Sequence, residues 1–218
     1  MTEARSLTAL PLFPLGTVLY PGGLLPLRIF EVRYLDMIGK CHKAGTPFGV
    51  VCLTQGAEVN TAPAGPPGAG PAGQDFHDVG TLASIAEFSS PQAGLMMIRC
   101  VGTQRFSISR REKLKHGLWV ADAVTLADDA AVPVQADLQG AADALAKVIR
   151  TLQERQIPAA QMPLLPPYQL DDCSWVANRW CELLPIPVEL KQRLMALDNP
   201  LVRLELVSDI LDRAGLSP

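Results

Sequence analysis

Three histidines, five cysteines and two pairs of adjacent aspartates are the side chains of this 218-residue sequence best suited to ligating a metal or breaking a bond. His42, His77 and His116 stand far apart, with no HExxH and no His-x-His spacing to aim two imidazoles at one ion. Their surroundings predict surface roles, at a helix end, a loop edge and a strand turn. Cys41 precedes His42, but consecutive positions on a helix do not face each other, so the two cannot form a nucleophile and base. Asp128-Asp129 and Asp171-Asp172 also diverge as sequence neighbours, and each pair precedes a helical segment, which points to capping. Glu31 has no acid or base partner beside it, and with Arg33 it reads as structural. GxSxG, GxxxxGK[ST] and GxGxxG are all absent. The sequence therefore nominates no catalytic residue, no metal ligand and no cofactor site.

Composition narrows the classes further. The net charge is −3, and the pI of about 5.6 gives no general attraction to nucleic acid or an anionic membrane. One tract departs from this. Arg99, Arg105, Arg110, Arg111, Lys113 and Lys115 stand against a lone Glu112, a basic island that reads first as a solvated pair of strands and their turn. The cysteines at 41, 52, 100, 173 and 181 form no CxxC pair, and their odd number argues against a closed disulfide framework. With no apolar run near the ~20 residues that span a bilayer, and no signal-peptide core at the N-terminus, the expectation is a reduced, cytoplasmic protein.

What must position any site is a chain of two periodicities. From about Leu7 to about Leu126 the apolar runs are short, punctuated by Gly and Pro, and several alternate with period two. In "LLPLRIF", Leu25, Leu27 and Ile29 share one face while Leu24, Pro26, Arg28 and Phe30 share the other, and the prolines predict an edge or bulged strand. "FGVVCL" from Phe48, "VGTLASIAEF" from Val79, "GLMMIRCVG" from Gly94, "RFSISR" from Arg105 and "LWVADAV" from Leu118 extend the series to about six strands. One helix interrupts them. Phe30, Tyr34, Met37, Ile38 and Cys41 recur at helical spacing from about Glu31 to Lys43, Glu31 places a carboxylate at the positive end, and Gly45 stops the helix.

Residues 56–74 contain five glycines and four prolines, too little apolar side chain to offset ordering, so a mobile loop is predicted. That loop carries no lysine and is not a phosphate cradle. After about Val132 the period becomes helical. Leu138, Ala142, Leu145, Ile149 and Leu152 mark one helix, ending near Gln156. Asp171, Asp172 or Ser174 can cap the next, whose apolar face includes Val176 and Trp180. Pro187 suits the first turn of a third, and Asn199 with Pro200 opens a fourth, which Gly215 closes. The expected class is α+β, with a β-rich region at 7–126 and a bundle of about four helices at 133–215.

"LPLFPLGTVLYPGGLLPLRIFEVRYLDMI" from Leu10, "FGVV" at Phe48, "DVGTLASI" at Asp78, "VGTQRFSI" at Val101 and "LPIPVELKQRLMALDNPLVRLELVSDIL" from Leu184 together resemble the N-terminal substrate-binding domain of the Lon proteases. Cereblon carries a similar domain. The resemblance implies a PUA-like pseudo-barrel followed by a helical bundle. It also implies recognition of polypeptide segments or partner proteins, such as protease or chaperone clients, without the ATPase module or Ser-Lys peptidase of a whole Lon protease. The 56–74 loop is longer than usual for that family. Leu24 and Arg28, on the strand face opposite Leu25 and Leu27, and Tyr168, in the Pro-rich "LPPYQL" connection, are nominated as contacts. RNA binding through the Arg99–His116 tract is the alternative that PUA-like folds allow.

Overall fold

The computed structural model describes residues 4–58, 73–158 and 161–216. Seven strands come first: β1 (Ser6–Leu15), β2 (Leu24–Ile29), β3 (Phe48–Gln55), β4 (Asp75–Phe76), β5 (Val79–Gln92), β6 (Leu95–Lys113) and β7 (Trp119–Thr125). A helix, α1 (Val32–Ala44), sits between β2 and β3. The sheet runs β1-β7-β6-β5-β3-β4, and β1 also pairs with β3, in parallel, so five strands close on themselves as a barrel. β4 hangs from β3, and β2 pairs with β6 alone. This is the expected mixed class, with the pseudo-barrel formed.

Closure buries both faces of the strands, which accounts for continuous apolar runs such as "FGVVCL". Alternate residues go to different cores. Leu12, Val51 and Leu82 join Leu10, Phe76 and Phe106 in one cluster, while their neighbours Phe13, Val50 and Ala83 join Tyr34, Met37, Ile38 and Cys41 of α1 in the other. Phe106 is fully buried, and side chains at Gly49 or Gly80 would each begin 2.7 Å from its ring, so the two glycines leave the space it fills.

The expected strands at Gly94 and Arg105 are one strand, β6, running through Gly102. Glycine is needed there because a Cβ would collide with the Tyr20 carbonyl crossing behind it, not because the chain turns. β4, of two residues, has no counterpart in the sequence reading. α1 begins and ends where its spacing predicts, with Gly45 left-handed at φ 64°. Glu31 occupies the N-cap but makes no capping bond, because its carboxylate pairs with Arg33 at 3.1 Å. Most of the expected 56–74 loop, residues 59–72, lies outside the described residues.

By its internal contacts the chain forms two units, Met1–Pro21 with Leu25–Ala127, and Gly22–Leu24 with Asp128–Pro218. The second contains a short 3-10 turn (Ala136–Leu138) and helices α2 (Gln139–Glu154), α3 (Cys173–Leu183), α4 (Val188–Ala196) and α5 (Pro200–Arg213). Asp172 caps α3 through the Trp175 amide at 2.8 Å, and Asn199 caps α5 through the Leu201 and Val202 amides. Pro187 stands one residue ahead of α4, as its N-cap. Trp180 is core, its indole N–H donating to the Ala141 carbonyl at 2.9 Å. Asp129 is not a cap. It accepts from the Ser174 hydroxyl at 2.6 Å and pairs with Arg203, which is 1% exposed and also donates to Asn178 Oδ1 and to the Leu194 and Leu197 carbonyls.

Candidate functional site

The end of β2 and the start of α1 form a groove of about 160 Å³ on the barrel unit, lined by Phe13, Pro26, Arg28, Phe30, Tyr34 and Glu58, among others. Local sequence dictates its shape. The proline in β2 and the exposed Arg28 belong to the outward face of a period-two strand, and Phe30 ends that face just before the helix begins. Phe30 is 53% exposed and Val32, two residues on, 81%, so the corner carries two unburied apolar side chains. Phe30 lines the groove, and Val32, the first residue of α1, stands outside its lining.

Tyr34 supplies the floor. Its ring stacks on Phe13 with centroids 3.9 Å apart and planes 11° off parallel, and the Arg33 guanidinium lies 4.4 Å from its centroid. Arg33 is in turn fixed by Glu31 and by a 2.8 Å bond to the Gly117 carbonyl. The Tyr34 hydroxyl is buried and has no hydrogen-bond partner among the described residues. Burial pushes its pKa up to about 12, with Arg33 opposing and the Glu31 and Glu58 carboxylates adding to the rise. Glu58 is held by the Gly16 amide at 2.6 Å. The floor thus carries an unsatisfied phenol donor beneath the groove, closed from solvent as the chain stands.

Of the nominated residues, Arg28 is exposed and lines this groove. Leu24, half-buried, begins β2 and is not part of the lining. Tyr168 belongs to the helical unit, half-buried with its ring edge-on to Trp175 at 6.1 Å, so the groove does not include it. Sequence reasoning passed over Phe13, Phe30, Val32 and Tyr34. For Phe30 and Val32 the signal was available, since two large apolar residues flank Glu31 on either side of a strand-to-helix junction. Tyr34 gave none, because its stacking partner lies on β1.

The basic tract carries several ion pairs, most of them at the surface. Arg105 is 4% exposed, Arg99 pairs with Glu87 at 3.3 Å, Arg110 with Glu112 at 3.7 Å and Arg111 with Asp75 at 2.8 Å, while Lys113 lies over the Trp119 ring. The tract is the far part of one strand, β6, with its turn toward β7, and apart from the buried Arg105 and the partly buried Arg99 its cations are solvent-exposed, as the solvated reading expected. Nothing in it favours RNA. His42 stacks on Phe88 at 4.2 Å, and no group of three or more potential metal-ligating side chains occurs among the described residues. All five cysteines are buried and none forms a disulfide, and no described helix is long and apolar enough to cross a membrane.

The barrel unit is thus a closed five-stranded sheet with one helix, and its groove is lined by aromatic, aliphatic and charged side chains. The chain belongs to the family of the ATP-dependent protease La (LON) substrate-binding domain, whose model matches residues 9–213. It is 24% identical over 207 residues to a Lon protease of Anaeromyxobacter dehalogenans (strain 2CP-C), covering 94% of this chain but 23% of that protein. Among solved structures it resembles a Lon N-terminal domain protein from Xanthomonas campestris, with 29% identity, a TM-score of 0.68, and 93% and 98% of the two chains covered. The N-terminal domain of a Mycobacterium avium complex Lon protease shares the fold, at 16% identity, a TM-score of 0.57, and 94% and 97% coverage.

Proposed function

We propose that this chain is a non-catalytic binding module that takes an extended or unfolded polypeptide segment at the β2–α1 groove. The observation that carries this reading is the exposed Phe30–Val32 pair beside a groove floored by the unpartnered Tyr34 hydroxyl. An extended chain would lay alternate side chains on the apolar rim and turn a backbone carbonyl toward Tyr34. Membership in a family described as substrate-binding supports polypeptide as the ligand class. Arg28 would meet acidic groups of the ligand or its carbonyl oxygens. Leu24 and Tyr168 would act as contacts beyond the groove for a longer client. The ATPase and peptidase activities of a full Lon protease form no part of the proposal.

The test uses fluorescein-labelled α-lactalbumin, either reduced and carboxymethylated, hence unfolded, or native, in anisotropy titrations. Burying one large apolar side chain is worth about 1.5–3 kcal/mol, so Val32→Asp and Phe30→Asp should each weaken capture of the unfolded probe by roughly tenfold or more. Leu24→Asp, Arg28→Glu and Tyr168→Ala report on the nominated contacts in the same assay. Equal affinity for native probe, or unchanged capture by both Val32→Asp and Phe30→Asp, refutes the reading.

A further inference from the structure

The helical unit holds a second, larger cleft of about 750 Å³ that the polypeptide groove leaves unexplained. Its long wall is α2. Ala144, Val148 and Leu152, at four-residue spacing, form a half-buried apolar line along it, and Trp180 of α3 with Leu216 beyond α5 close the other side. Leu216 is 49% exposed, a large apolar residue left uncovered at the edge of an apolar trough.

Charge is one-sided. Lys147, Arg150 and Arg155 border the cleft and are solvent-exposed, and among the described residues none of the three is ion-paired. Among the described residues Asp143 is the only lining carboxylate, and the Gln139 side chain already donates to it at 3.0 Å. Gly215 and Leu216, just past α5, also border the cleft, and their amides with that of Ala214 take the Asp212, Leu211 and Ile210 carbonyls, so the partial negative charge at that helix end is largely answered. From Asp143 to Arg155 the wall rises about 18 Å, a little over three helical turns. The cleft is open rather than enclosed, which suits a protein segment laid along it better than an acyl chain that must be surrounded to leave water.

We infer that this cleft docks a short, acidic amphipathic helix of a partner protein, its apolar face on Val148, Leu152, Trp180 and Leu216 and its carboxylates toward Lys147, Arg150 and Arg155. This site is separate from the β2–α1 groove and does not rest on the reading proposed for it. An apolar trough with a cationic rim selects against basic segments, because a lysine over Arg150 or Lys147 is repelled while its stem competes for the same apolar line.

The probe is a fluorescein-labelled peptide of about 15 residues, with leucines at helical spacing and glutamates elsewhere, titrated against the full chain. Its counterpart replaces every glutamate with lysine. The acidic peptide should bind, and weaken about tenfold between roughly 0.05 and 0.5 M salt. Lys147→Glu and Arg150→Glu, both surface changes, should each weaken it severalfold. Val148→Asp should abolish binding with the circular dichroism spectrum unchanged, and Leu152→Asp replaces it should that variant not fold. Phe30→Asp should leave this peptide's affinity untouched. Equal binding of the lysine peptide, or no effect of the two charge reversals, overturns the inference. Displacement of the acidic peptide by decanoate at submicellar concentration would also overturn it, by assigning the cleft to small anionic amphiphiles.

Discussion

Replacing Tyr34 with Phe should make the protein more stable and a poorer binder at once. The hydroxyl is buried and unpartnered among the described residues, while the ring to which it is attached is 2% exposed and stacked on Phe13. A buried hydroxyl with no partner costs about 1–3 kcal/mol in desolvation, and phenylalanine keeps the ring, its stacking and nearly all its volume. Allowing for some relaxation toward the Arg33 and Glu58 side of the groove, a gain of about 1 kcal/mol is expected, read as a higher urea midpoint at unchanged m. Binding of the unfolded probe should weaken by about fivefold, the worth of one neutral hydrogen bond. Alkaline pH supplies an independent check. With the folded pKa near 12 and the unfolded value near 10, the native state keeps a proton that the unfolded chain releases. This phenol's contribution is therefore constant below about pH 10 and falls as pH rises toward 12. The variant should lack that decline, so its advantage over the wild type should widen above about pH 10. A destabilised Tyr34→Phe protein would show that the hydroxyl has a partner, and the reasoning fails. A stabilised variant with undiminished capture would sever Tyr34 from the ligand.

Three further outcomes follow from the packing. Arg203→Met should cost about 3–5 kcal/mol in urea unfolding, because it strands the 8%-exposed Asp129 carboxylate; combining it with Asp129→Asn should recover most of the loss, and a single-variant cost under about 1 kcal/mol would contradict the network. Gly49→Ala puts a methyl 2.7 Å from both the Phe106 ring and Leu12 Cδ2, so it should destabilise by about 1–3 kcal/mol, and Phe106→Leu in the same chain should reduce that penalty; simple additivity would refute the shared space. Asn199→Ala removes the acceptor for two amides at the start of α5 and should cost about 1 kcal/mol, and Asn199→Ser should restore most of it.

Helix α1 was legible in the sequence because Tyr34, Met37, Ile38 and Cys41 fix one face and Gly45 is the left-handed stop, although Phe30, counted on that face, falls before the helix and is exposed. The same logic failed at Gly102. A glycine between two apolar runs looks like a turn, yet here it marks where another stretch of backbone presses against an unbroken strand. Asp129 failed for a different reason. Its carboxylate answers Arg203, 74 positions away, and a local rule can assign an aspartate before a helix only to capping. Arg28 was legible as an outward strand residue, but the groove was not, since it needs β1, β2 and α1 together and its floor is set by the stacking of Phe13 on Tyr34.

Barrel closure itself narrows where an extended polypeptide could be held. Five strands spend most of their edges on one another, and among the described stretches that keep an open side are β4, the distal half of β5, and β2. Two residues of β4 offer about 7 Å of backbone, too little to register a ligand strand. The distal half of β5 carries Glu87, Ser89, Ser90, Pro91 and Gln92, exposed polar side chains and a proline of the kind that guards an edge against strand addition. β2 is six residues long, and at its end stand Phe30, Val32 and the Tyr34 hydroxyl, features that would burden an edge meant to stay bare. An added strand at β2 would gain main-chain bonds and apolar contact together, which neither β4 nor the distal half of β5 supplies.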